Sequence, residues 1–206
     1  PLRLLARAGR APDIVSGRLS VEGRIGLPLR RNLNAEDLAL NLGGVLRDAV
    51  SEAIVPGRRL TATRLDARVD DTALTVEGAV ALDGLPVSGR WTQPLAPDET
   101  GRVSAELRLD RGLLDSFGVG LPPGAVSGAA PAALELTLPK EAPPAFTLTS
   151  ALDGLGLAID ALGWRLAPGA RGDLQVTGSL GRPARIDRIA LEAPGLSASG
   201  TVDMAP

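Results

Sequence analysis

The sequence contains no histidine, no cysteine and no tyrosine, and its 206 residues include only one methionine, two tryptophans and two phenylalanines. Each absence removes a chemistry. Without an imidazole there is no Ser-His-Asp or Cys-His relay. Zinc sites draw mainly on His and Cys, so no zinc site is expected. Disulfides, thiol redox and haem ligation by His or Cys go with them. Lysine occurs once, at Lys140, and no Lys/Arg run exceeds the pairs Arg30-Arg31 and Arg58-Arg59. Nucleic-acid binding needs a basic stripe or aromatic stacking platforms, and both are missing. The net charge of −2 and a charged fraction of 22% are those of an ordinary soluble domain. No cofactor, metal site or catalytic group is expected.

What the chain has in excess is Leu (35), Ala (31), Gly (25) and Pro (17). The uncharged stretch Ser116–Leu134 approaches the length of a membrane span, but three prolines and four glycines break it. It reads as a loop with short strand ends. The chain begins at Pro1 and ends at Pro206, after a strand-like segment, which leads us to expect a piece of a longer protein with any anchor outside it.

Period-2 alternation of apolar and polar residues dominates. Arg18–Leu27 places Leu19, Val21, Gly23, Ile25 and Leu27 on one face, and Ala73–Leu82 repeats the arrangement. Further strands are expected at Asp37–Leu42, Leu60–Val69, Leu85–Trp91, Arg102–Leu109, Ala132–Leu138, Ala145–Leu152, Gly156–Ala161, Asp173–Leu180, Arg185–Leu191 and Gly195–Val202. Leu60–Val69 and Arg185–Leu191 each slip phase once, the mark of a β-bulge. Short connections favour antiparallel meanders. Two short helices are expected, over Val45–Ile54 (stopped by Pro56-Gly57) and after an Asp110 cap, through Leu113, Leu114 and Phe117 to Gly118.

One strand type recurs with glycine on the apolar face. Its copies run Leu19–Ile25, Leu74–Val80, Leu85–Trp91, Leu174–Leu180 and Leu196–Val202, centred on Gly23, Gly78, Gly89, Gly178 and Gly200. A mid-strand glycine forfeits stability unless the chain bends or something approaches closely. Two arrangements satisfy it: a tightly packed β-sandwich, or a strongly curved sheet with an open aliphatic trough. A sandwich core ordinarily uses aromatics to fill the roughly 10 Å between layers. This chain has almost none. An aliphatic lining would suit an acyl chain, because burial gains about 0.8 kcal/mol per CH₂ without directional contacts.

These Gly-strand copies, with the blocks Leu60–Trp91 and Leu152–Gly200 and the phrase Leu162-Gly-Trp-Arg-Leu-Ala-Pro-Gly169, resemble the AsmA-like family of bacterial envelope proteins, in particular the central region of YhdP-type members. The resemblance covers about Leu60–Val202, leaving residues 1–58 weakly matched and 59–206 as the Gly-strand part of one β-rich segment. It implies a bridge-like lipid-transfer protein: a strongly curved, taco-like antiparallel sheet, anchored in the inner membrane by parts outside this sequence. In the periplasm it would carry phospholipid acyl chains between the two membranes. Neighbouring segments of the same chain would be its other partners. About a dozen strands at roughly 4.8 Å spacing give a trough on the order of 60 Å, so such segments would have to join.

The expected groove lining is Leu19, Val21, Leu74, Val76, Val80, Val87, Trp91, Leu107, Leu136, Leu148, Leu157, Leu174, Val176 and Leu196. The five glycines supply curvature and clearance. The alternative is a structural β-sandwich module of a surface or adhesin-like protein with no lipid ligand. The remaining polar candidates read as ordinary structure. Asp70-Asp71 and Glu192 are the conceivable acid/base carboxylates. Asp70-Asp71 sits in a turn sequence, Lys140 in a Pro-rich loop, and the two Arg pairs in exposed loops, although those pairs could meet lipid head groups.

Overall fold

The computed structural model describes residues 15–26, 39–55, 57–96, 99–140, 142–181 and 185–202. The chain is mainly β and antiparallel. It divides into two compact units, Pro1–Val103 with Leu138–Glu141 and Ser104–Thr137 with Ala142–Pro206.

In the first unit, β1 (Ser16–Gly26), β2 (Ala39–Ser51), β3 (Leu60–Val69), β4 (Ala73–Leu82) and β5 (Leu85–Pro94) pair in chain order. Local chemistry closes the turns. Asp83 (φ 50°) and Gly84 (φ 88°) form the two-residue Asp-Gly turn between β4 and β5, whose twist matches that of the strands. The Asp83 carboxylate accepts from the Arg59 N–H and from the Arg58 guanidinium, both at 2.9 Å, and these bonds hold its pKa below the ordinary carboxylate range. Between β3 and β4, Asp70 accepts from the backbone N–H groups of Thr72 (2.8 Å) and Ala73 (2.9 Å) and from the Thr72 hydroxyl (2.6 Å). The Asp70-Asp71 sequence is therefore a turn.

The Asp70 bonds carry a pH consequence. The Thr72 hydroxyl, then the Thr72 and Ala73 N–H groups, lower the Asp70 pKa in the folded state. A depressed folded pKa gives stability that is complete above about pH 4 and is lost as pH falls through the lowered value. Asp70→Ala should therefore be less stable than the parent at pH 7, and urea titrations at descending pH should show the gap closing below about pH 4.

The helix expected over Val45–Ile54 does not form. Those residues continue β2 to Ser51 and then turn. The physical reason is a bulge. Between the pairs Arg18↔Arg47 and Ser16↔Val50, β2 carries one residue more than β1, and Asp48 takes the left-handed conformation (φ 51°). The extra residue returns Ala49 to the face of Leu46, so a bulged strand acquires the i, i+3 spacing of a helix. β3 mirrors it: between Thr61↔Ala81 and Asp66↔Glu77 it holds one residue more than β4, and Ala62 and Leu65 end on one face. The phase slip expected in Leu60–Val69 is this bulge.

β6 (Gly101–Asp110) runs across the unit boundary with alternating burial. At its end the Asp110 carboxylate accepts from the Leu113 N–H at 2.9 Å and caps the six-residue α1 (Arg111–Ser116), which stops at Phe117 and Gly118 as expected. The loop expected across Ser116–Leu134 is shorter, because β7 (Val126–Leu138) begins at Val126.

In the second unit β7, β8 (Ala145–Ser150), β11 (Asp173–Ser179), β12 (Arg185–Ala193) and β13 (Leu196–Val202) follow one another in the sheet. β12 holds an extra residue relative to both neighbours, the second expected bulge. The first residues of β7 pair instead with β9 (Leu155–Ile159), which pairs with the short β10 (Trp164–Leu166), a strand not anticipated from the sequence. Leu152, Leu155 and Leu166 are buried in this region. The Trp164 indole donates to the Pro194 carbonyl at 2.9 Å and ties β10 to the β12–β13 turn.

Candidate functional site

Register assembles the aliphatic side chains into rows across each sheet, because directly opposed residues share a face. In the first unit Val21, Gly44, Ala67, Val76 and Trp91 form one row across five strands. The next row is Gly23, Leu42, Val69, Leu74 and Gln93. Leu19, Leu46 and Leu65 are opposed in turn, as are Val80 and Val87. Leu19, Val21, Leu74, Val76, Val80, Val87 and Trp91 thus lie on one face, together with Gly23, Gly78 and Gly89.

Burial on this face is uneven. Ala49, Ala62 and Leu65 are buried, with Val15, Leu46, Val76 and Val80 packed against them. Ala49 is only 1% exposed although its own side chain is one methyl, so its neighbours close over it where the bulges bend β2 and β3. Towards β1 the face opens: Leu19, Val21 and Ile25 are 51%, 46% and 58% exposed. A sandwich interior would bury them.

The glycines differ in what they do. At Gly23 a Cβ would run into the Asn41 carbonyl and the Leu42 backbone. At Gly78, which opposes Gly89, it would lie 2.9 Å from the Leu65 side chain and 3.0 Å from the Arg64 carbonyl. At Gly178 it would meet the Arg185 carbonyl and lie 2.7 Å from the Phe146 ring. Gly200, by contrast, faces open space.

In the second unit Leu134, Leu148, Val176, Ile189 and Gly200 form a row across five strands. Leu136, Phe146, Gly178 and Ile186 form another, and Ser150, Leu174, Leu191 and Ala198 a third. Leu136, Leu148, Leu174, Val176 and Leu196 therefore share a face, Leu196 through its pairing with Ala193. Leu107 is half-buried on β6, on the side of the buried Ala105 and Leu109. Leu157 is not in these rows: it pairs with Val126 and Leu166 in the β9–β10 arrangement.

Sequence reasoning ended the fifth strand at Trp91 and so missed Gln93, which the strand carries onto the aliphatic face. Continuing the alternation Val87, Gly89, Trp91 by two residues would have found it. Gln93 is 2% exposed; its Nε2 donates to the Pro94 carbonyl at 3.2 Å, while its Oε1 and the Trp91 Nε1 are buried without partners. They are the only such side-chain atoms among the described residues.

The opposite face of the first unit is charged, with Arg90–Glu77 (2.6 Å) and Arg64–Asp66 (2.7 Å) ion pairs in solvent. Exposed pairs of this kind contribute little to stability. Two shallow depressions lie over small side chains. One, of about 340 Å³, is lined by residues that include Ala49, Thr61, Ala62 and Ala81. The other, of about 720 Å³ in the second unit, is lined by residues that include Ala133, Thr149, Gln175 and Ala190, with the carboxylates of Asp173 and Glu192. Among the described residues no three His, Cys, Asp or Glu side chains converge as metal ligands, and no helix is long and apolar enough to cross a membrane. Arg30 and Arg31 lie outside the described residues.

Comparison with protein-family models, curated proteins and solved structures gives no match. The functional reading rests on the chain's own residues.

Proposed function

We propose that this chain is a non-catalytic segment of an envelope lipid-transport protein of the AsmA-like kind, whose aliphatic sheet face carries phospholipid acyl chains between inner and outer membranes. The observation that carries this reading is the set of mainly aliphatic rows that run out to solvent-exposed Leu19 and Val21, beside exposed Ile25 on the same strand. A contiguous exposed apolar surface is unfavourable in water and marks a place where something apolar lies. The chemistry of the rows suits an acyl chain. They are mostly Leu, Val, Ile, Ala and Gly, with Trp91, Phe146, Gln93 and Ser150 as the exceptions, so a methylene finds similar surroundings at most steps and is not fixed at one. A sixteen-carbon chain leaving water for such a face gains roughly 12 kcal/mol before the entropy of ordering it is subtracted.

In this reading the protein works in the periplasm, held to the inner membrane by parts outside the sequence, with neighbouring segments continuing the path. The alternative, a structural β-module with no lipid ligand, draws its support from the buried leucines 152, 155 and 166 in the second unit, which look like ordinary packing. The two readings part on one measurement. Purified without delipidation, the chain should carry phospholipid detectable by mass spectrometry of its organic extract. A lipid-free protein that also fails to bind added phospholipid would favour the structural module.

A further inference from the structure

The register that builds the aliphatic rows also builds a row of arginines on the other face. Arg18 lies directly opposite Arg47, and Arg47 directly opposite Arg64. Neighbouring Cβ atoms at such positions are about 5 Å apart, so three guanidinium stems stand within roughly 10 Å. Like charges directly opposed destabilise a strand pair. Two of the three are answered by carboxylates: Arg18 by Asp48, the left-handed residue of the β2 bulge, and Arg64 by Asp66 at 2.7 Å. The central one, Arg47, shares the attraction of Asp66, which lies diagonally across from it on β3. Among the described residues Arg47 makes no ion pair of its own, and Arg68, four residues beyond Arg64 on β3, is also without one. Arg68 has Glu22 in its own row, across Gly43, so the like-charge contact is concentrated at Arg47, which stands between two arginines and is exposed to solvent.

We propose that the Arg18–Arg47–Arg64 row binds a phosphate-type oxyanion, with Arg47 as its central contact. Guanidinium is planar, stays charged and offers a fork of donors that fits two oxygens of one phosphate. An anion over Arg47 would place negative charge at the centre of the row and offset the like-charge repulsion between its arginines. The row faces away from the aliphatic rows, so this site stands whether or not acyl chains occupy the other side.

Thermal unfolding with and without inorganic pyrophosphate tests it, using Arg47→Gln and, as a control outside the row, Arg90→Gln. Without ligand, Arg47→Gln should melt at or above the parent, because it relieves like-charge repulsion. With millimolar pyrophosphate the parent Tm should rise saturably, and the apparent Kd should be raised roughly tenfold in Arg47→Gln but not in Arg90→Gln. Co-sedimentation with phosphatidylcholine vesicles, with and without phosphatidylglycerol, separates the sources of phosphate. Binding that needs both phosphatidylglycerol and Arg47 identifies a lipid head group. A pyrophosphate response without vesicle binding identifies a soluble phosphate. If the three proteins respond alike to pyrophosphate and to vesicles, the row is a charged surface only and the proposal is wrong.

Discussion

Gly178→Val is expected to destabilise the second unit by about 3 kcal/mol or more, a loss on the scale of severe core overpacking. The added Cβ would enter the space held by the Arg185 carbonyl on one side and by the Phe146 ring, at 2.7 and 2.9 Å, on the other. Neither can yield cheaply. The carbonyl belongs to the strand opposite in the β11–β12 ladder, and the ring occupies the directly opposed position on β8. Gly200 belongs to the same recurring strand type yet has nothing within 4 Å, so Gly200→Val should change stability by less than about 1 kcal/mol. Urea denaturation of the two variants measures the contrast. Equal losses would mean that the recurring glycine acts through strand flexibility, and that close approach to opposed strands is not its purpose.

Leu152→Ala should cost about 3 kcal/mol, and Leu152→Gly should cost less than Leu152→Ala, reversing the usual order of the two. Leu152 is fully buried, so truncation leaves a cavity. It also sits at φ 57°, a conformation that disfavours any side chain by roughly 1–2 kcal/mol and glycine hardly at all. Its backbone is held there by short bonds: the Leu152 N–H donates to the Ser150 hydroxyl at 3.1 Å, and the Leu155 N–H to the Leu152 carbonyl at 3.0 Å. The buried isobutyl group offsets the strain in the native protein. Once truncation removes it, glycine is the better occupant. Denaturation midpoints of both variants decide the order.

Much of the fold was legible because its determinants are local. Ala73–Leu82 and Leu60–Val69 are strands at the expected boundaries, since alternation fixes the strand and Asp-Asp-Thr and Asp-Gly fix the turns beside them. The Val45–Ile54 error came from the same kind of signal. A bulge shifts the apolar phase by one residue, and over a short stretch that shift copies a helix; only pairing with β1 and β3 distinguishes them. β10 was illegible because three residues hold too little alternation to detect. For the expected lining, alternation gave the face of each residue within its strand but not the sheet to which that strand belongs. Hence Leu174 and Val176 fall in the aliphatic rows, whereas Leu157, on an equally alternating segment, pairs away from them. The arginine row lay beyond sequence reasoning for the same reason, since Arg18, Arg47 and Arg64 meet only through long-range register.

The proposed lipid path is tested most directly by photo-crosslinking from paired positions on the two faces. A photoreactive residue at Val76 or Val176 lies in the aliphatic rows, while one at Thr75, opposite Arg68, or Thr177, opposite Arg188, looks the other way. Irradiated with phospholipid present, the chain should form lipid adducts at Val76 and Val176 and none above background at Thr75 and Thr177. Adducts absent from both valines, or equally strong on both faces, would contradict a lipid path along the aliphatic face.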